Sequence, residues 1–128
     1  MKRVVVTGIG TITPLGNNLH DYWNGLINGV SGAGPITLFD ATKFKTRFAC
    51  EIKGFDPTNF MDKKEARKLD RFAQLAIAVS DAAVADAGIS KENVDVDRVG
   101  VIFASGIGGL TTFQEEVKDY ARGDGTPR

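Results

Sequence analysis

A chain of 128 residues with 42% apolar and 25% charged side chains has the make-up of one soluble globular domain, or part of a larger one. Sixteen basic side chains balance sixteen acidic ones, which excludes the net basic surface that releases counterions from nucleic-acid phosphates. No apolar run nears the roughly 18 residues of a membrane span, and Val4-Val5-Val6 behind Lys2-Arg3 is too short for a secretory signal core.

In chain order, Val4-Val5-Val6 is β-branched and uninterrupted, the pattern of a strand buried on both faces. It runs into Gly8-Ile9-Gly10 and then Pro14-Leu15-Gly16, a loop that cannot be helical at Pro14. Asn17 or Asn18 can cap a helix whose stripe is Leu19, Tyr22, Trp23, Leu26 and Ile27, with Gly29 closing it. Gly29 to Gly34, ending at Pro35, is read as loop. Phe48, Cys50 and Ile52 alternate with Ala49, Glu51 and Lys53, which predicts a short strand with one wet face.

Asp62 and Glu65 have capping-box spacing ahead of a basic helical turn. Arg71 to Ala87 is alanine-rich, with the stripe Leu69, Phe72, Ala76, Val79 and Ala83, and Gly88 stops it; such a helix is buried between layers. Val99 to Ala104 is a second continuous apolar run and a predicted central strand, ending in Ser105-Gly106-Ile107-Gly108-Gly109. Thr112 with Glu115 again has capping-box spacing, and Leu110, Phe113, Val117, Tyr120 and Ala121 predict an amphipathic helix. Gly123 to Arg128 is turn-rich. Strands alternating with helices give an α/β class with a mostly parallel central sheet. The doubly covered strands and the alanine helix need more neighbours than these elements supply, so the pattern belongs to a larger assembly.

Several motifs admit more than one reading. Val-Val-Val-Thr-Gly-Ile-Gly invites a dinucleotide-binding, Rossmann-type oxidoreductase interpretation. The third glycine of that fingerprint is replaced by Thr13, however, and Pro14 follows, so no helix opens on the glycines; a tight turn is the plainer reading. Ser105 to Gly109 sits where α/β sheets place ligand sites, and is either a site that a ligand approaches closely or a plain connection. Lys64, Arg67, Lys68 and Arg71 fall at helical spacing, and Asp62 to Arg71 holds five positive and three negative residues. That face is either simply solvated or docks an acidic partner, which such a patch would steer and orient. Cys50 is the only cysteine, so it can form neither an internal disulfide nor a thiolate metal cluster; a reducing, cytoplasmic setting is expected. On an alternating strand, with no base or helix terminus beside it, it is read as a buried small apolar residue rather than a nucleophile. His20, the only histidine, is read as a surface residue. No catalytic residue, metal ligand set or cofactor site is expected in this chain.

From Lys2 onward the segments resemble β-ketoacyl-acyl-carrier-protein synthases, the elongating condensing enzymes of bacterial fatty acid synthesis. The quoted matches are Arg-Val-Val-Val-Thr-Gly-Ile-Gly, Thr13-Pro14-Leu15-Gly16-Asn17, Trp23 with its helix, Phe39-Asp40, and Arg47-Phe48-Ala49 ahead of Phe55. Lys64-Glu65-Ala66-Arg67-Lys68-Leu69-Asp70-Arg71-Phe72, Ser105-Gly106-Ile107-Gly108-Gly109-Leu110 and the terminal Gly-Asp-Gly-Thr-Pro-Arg complete the series. The resemblance implies part of the first half of a thiolase fold, layered α/β/α/β/α, with residues 1–128 an incomplete N-terminal part of one ketosynthase domain. It implies an acyltransferase parent that performs decarboxylative Claisen condensation of an acyl thioester with malonyl-acyl-carrier protein, as a cytoplasmic homodimer without a cofactor. Its catalytic cysteine and two histidines are expected beyond Arg128, so this chain alone is expected to be inactive. What carries over is accessory: Ile107, with Gly106 and Gly108, matches the wall and gate of the acyl pocket. Lys64, Arg67 and Lys68, joined by Arg128, match the surface that meets the acidic carrier protein. A carrier-binding module without catalysis is the second expectation, with no nucleic-acid or membrane partner.

Overall fold

A computed structural model of the chain describes residues 2–123. Four α-helices carry the regular structure: α1 (Leu19–Ile27), α2 (Lys63–Ala66), α3 (Arg71–Asp86) and α4 (Leu110–Arg122). Two strands, β1 (Gly34–Pro35) and β2 (Phe48–Ala49), form one antiparallel pair with Gly34 opposite Ala49 and Pro35 opposite Phe48. Single 3₁₀ turns at Pro57–Asn59 and Val96–Arg98 complete the described elements.

The helix ends follow the local chemistry read from the sequence. Asn18 caps α1, its side chain accepting from the Asp21 N–H at 2.9 Å. Beyond α1, Gly29 at φ +64 donates to Leu26 O and Val30 donates to Gly25 O, the paired bonds of a Schellman ending. Gly88, at φ +62, ends α3 in the same way, through Gly88 N–H to Ala85 O and Ile89 N–H to Val84 O.

Three expectations need correction. Val4–Val6 and Val99–Ala104 form no regular strand among the described residues. They are exposed, with Val4 at 94% and Ile102 at 97%. A strand is a property of a ladder, and neither run has a hydrogen-bonded neighbour to make one. Gly34 and Pro35, read as loop, are strand because they pair with Ala49 and Phe48, and Glu51 ties down the residues that follow them. Its carboxylate accepts from Thr37 N–H, Thr37 Oγ1 and Leu38 N–H, and Ile36 N–H bonds Arg47 O. Finally, α4 starts two residues before Thr112, with Gly109 at its N-cap, so Thr112 is not the cap.

Gly8 and Gly10 lie directly on α3. A Cβ on Gly10 would fall 1.9 Å from Val79 O, and one on Gly8 would fall 2.3 Å from Ala83 O. The two glycines thus match the small-residue stripe Val79, Ala83 and Ala87, one helical turn apart. Asp86 secures the crossing by accepting from Ile9 N–H at 2.9 Å. The tight turn sits further on, where Thr13 N–H bonds Gly16 O and Gly16 N–H bonds Thr13 O.

The core among the described residues is small. Ala41, Phe55, Ala66 and Ala78 are its buried apolar side chains, and Ala78 on α3 is the most enclosed, at 1% exposure. The accessible surface is 10841 Å², against about 6,600 Å² for a compact folded chain of this mass. Apolar faces of α1, α4 and both apolar runs supply much of the difference.

Candidate functional site

The junction between α2 and α3 organises the surface where most of the candidate residues lie. The basic stretch starts at the expected Asp62 cap, although the Asp62 side chain makes no cap hydrogen bond. It does not continue as one helix: α2 ends at Ala66 and tightens through Lys68 N–H to Glu65 O and Leu69 N–H to Ala66 O. Gln74 fills the break, its Nε2 donating to Ala66 O at 2.7 Å and Leu69 O at 3.0 Å. Lys64, Arg67 and Lys68 are all exposed. Arg71, expected on the same face, packs against Phe55. Its guanidinium lies 4.6 Å from the centroid of Phe55, which stacks on Phe60 at 5.7 Å. Arg128 lies outside the described residues.

Ser105 to Gly109 enters α4 against the first turn of α3. A cavity of about 400 Å³ lies between them, lined by Leu69, Phe72 and Leu75 on one side and Ile107 and Leu110 on the other. A second cavity of about 370 Å³ shares Phe72 and Leu75 and reaches Gly10–Ile12 and Phe103–Ser105. Ile107 is 75% exposed at the loop's tip. Its two glycine neighbours differ sharply. A Cβ on Gly106 would meet open space, whereas one on Gly108 would fall 2.6 Å from the Phe72 ring. Gly109 has φ +70, and a Cβ there would come 2.9 Å from Asp70 Oδ2. Thr112 donates its hydroxyl to Asp70 Oδ1. Asp70 was no candidate from sequence; the partner 42 positions on leaves no local signal.

Cys50 is exposed, not buried as expected, because β2 ends at Ala49 and no second layer covers it. His20 is exposed as expected and pairs with Asn24 Nδ2 at 2.9 Å rather than with a thiol. Among the described residues no group of three or more His, Cys, Asp or Glu could hold a metal ion. No helix there is long and apolar enough to cross a membrane.

Residues 1–127 match the family model of the β-ketoacyl synthase N-terminal domain. The chain is 49% identical over 115 residues to 3-oxoacyl-[acyl-carrier-protein] synthase 2 of Synechocystis sp., covering 90% of this chain and 28% of that protein. It is 49% identical over 113 residues to the protein of the same name from Vibrio harveyi, covering 88% and 27%. Among solved structures, the ishigamide ketosynthase/chain length factor superposes with TM-score 0.66 and 38% identity, over 73% of this chain and 23% of that one. A ketosynthase in complex with its type II polyketide acyl-carrier protein superposes with TM-score 0.76 and 26% identity, over 97% of this chain and 33% of that one. The chain therefore spans a little over a quarter of the length of the curated relatives it matches.

Proposed function

The chain belongs to the β-ketoacyl synthase family, and from that premise we propose that it is the N-terminal part of an elongating 3-oxoacyl-acyl-carrier-protein synthase. The observation that carries the reading is the match to the N-terminal domain over residues 1–127. In the proposed reaction an enzyme cysteine takes the acyl group from its carrier thioester and releases the carrier thiol. Malonyl-carrier protein then loses CO₂, and the carbanion attacks the acyl-enzyme. The new carbon–carbon bond gives 3-oxoacyl-carrier protein and returns the cysteine. In this reading the cysteine and two assisting histidines lie beyond Arg128, within one ketosynthase domain of a cytoplasmic homodimer with a mostly parallel central sheet, and no cofactor is called for.

What this chain contributes is recognition. Lys64, Arg67 and Lys68, all exposed, supply positive charge for an acidic carrier protein, and Arg128, outside the described residues, is assigned to the same role. The relative solved with a carrier protein supports this class of partner. Ile107, between Gly106 and Gly108, walls and gates the acyl pocket; the apolar side chains of Phe72, Leu75 and Leu110 around the neighbouring cavity support that role. The test is incubation of the intact protein carrying residues 1–128 with acyl- and malonyl-carrier proteins. Release of one CO₂ per product lengthened by two carbons is expected, and decarboxylation without elongation would overturn the reading. The 128-residue chain alone is expected to show no acyl adduct by intact mass.

A further inference from the structure

We propose that Asp70 is the positioning residue of the Ser105–Gly109 loop, clamping its C-terminal end, just beyond Ile107, to the start of α3. Three contacts converge on this role. The Asp70 carboxylate accepts from Thr112 Oγ1 in the first turn of α4. Its other oxygen sits where any side chain on Gly109 would collide, at 2.9 Å from an ideal Cβ. Two residues further along α3, the Phe72 ring closes on Gly108, where a Cβ would have 2.6, 2.8 and 2.9 Å contacts. Gly108 and Gly109 are thus fixed from one side by the start of a single helix. Gly106 has nothing within 4 Å of an added Cβ, so no comparable close contact fixes the loop at that glycine. Asp70 is the N-cap of α3 but makes no side-chain cap hydrogen bond there, so its carboxylate serves α4 rather than its own helix. It also ends the segment that carries Lys64, Arg67 and Lys68, held to α3 by Gln74 through Ala66 O and Leu69 O. A partner seated on that basic turn would therefore press on the residue that holds the loop.

The clamp itself needs no assumption about the reaction; its bearing on acyl-chain entry rests on the function proposed above. The test compares hydrogen exchange in the intact protein for Asp70→Ala, Thr112→Val and Thr112→Ser, followed by mass spectrometry of peptides spanning the loop and α3. Both Asp70→Ala and Thr112→Val are expected to speed exchange across 106–113 about tenfold, the loss of one charge-assisted hydrogen bond. Peptides from α3 beyond Phe72 should stay at wild-type rates, the double variant should match either single one, and Thr112→Ser should restore the loop. Wild-type exchange in the loop of both variants would overturn the clamp. So would a rise spread evenly over α3, which marks general destabilisation. If loop exchange rises while the range of acyl lengths accepted is unchanged, the clamp stands and the gating role of Ile107 falls.

Discussion

Glycine positions separate into those that touch a neighbour and those that do not, and the difference sets what substitution costs. At Gly10 the space is filled by the α3 backbone, with Val79 O 1.9 Å from an added Cβ. Gly10→Ala must push its segment off the helix, and we expect a loss of about 1–3 kcal/mol in urea unfolding. Gly106→Ala, placed in open space, is expected to fall within about 0.5 kcal/mol of the parent. Equal effects would show that the crossing is not packed as described. Glu51 makes a second residue-scale statement. The Thr37 side chain and backbone, accepted by its carboxylate, hold its pKa below the ordinary glutamate value. A lowered folded pKa means the contribution is complete above the unfolded pKa and lost as pH falls through the folded one. The Thr37 amide is therefore expected to hold its shift at neutral pH and move only in acid, below the ordinary glutamate range. Glu51→Gln should abolish that titration in an NMR series. A Thr37 amide that titrates in the variant as in the parent would count against the contact.

At the level of elements, periodicity and end signals located α1, α3 and α4, and the Gly29 and Gly88 endings appeared where the residues called for them. A helix closes its hydrogen bonds within its own chain, so its sequence carries most of what is needed to place it. Less legible was the basic segment. Charge spacing put Arg71 on one face with Lys64, Arg67 and Lys68, but the helix breaks at Ala66 and Arg71 packs over Phe55. Gln74, which closes the break, gave no sign of that role in sequence. The remaining trio predicts a salt-dependent interaction. Lys64→Glu with Arg67→Glu is expected to weaken acidic carrier-protein binding by the intact protein tenfold or more in low salt, an order-of-magnitude figure for removed charge complementarity. The difference should shrink as salt rises past about 0.15 M. Calorimetric affinities that are equal for variant and parent at low salt would remove the docking role.

Across the whole molecule, the accessible surface of 10841 Å² exceeds by more than half the roughly 6,600 Å² of a compact chain of this mass. Val101, Ile102 and Phe103, exposed at 78%, 97% and 60%, form a contiguous apolar run with an open backbone. Such runs drive edge-to-edge association. The 128-residue chain by itself is expected to associate with rising concentration in sedimentation velocity, and Ile102→Lys should reduce it. A strictly monomeric chain at high concentration would contradict that expectation.

By itself the sequence determined the family, through short motifs in one order from Arg3 to Leu110, and with it the helices and their glycine endings. Only the tertiary structure decided that Gly8 and Gly10 serve the packing of α3, that Arg71 packs over Phe55, and that Asp70 accepts from Thr112. Each of these depends on residues distant in the chain. The two apolar runs mark the same boundary from the other side: their composition specifies a strand, but a strand exists only when a neighbour completes its hydrogen bonds.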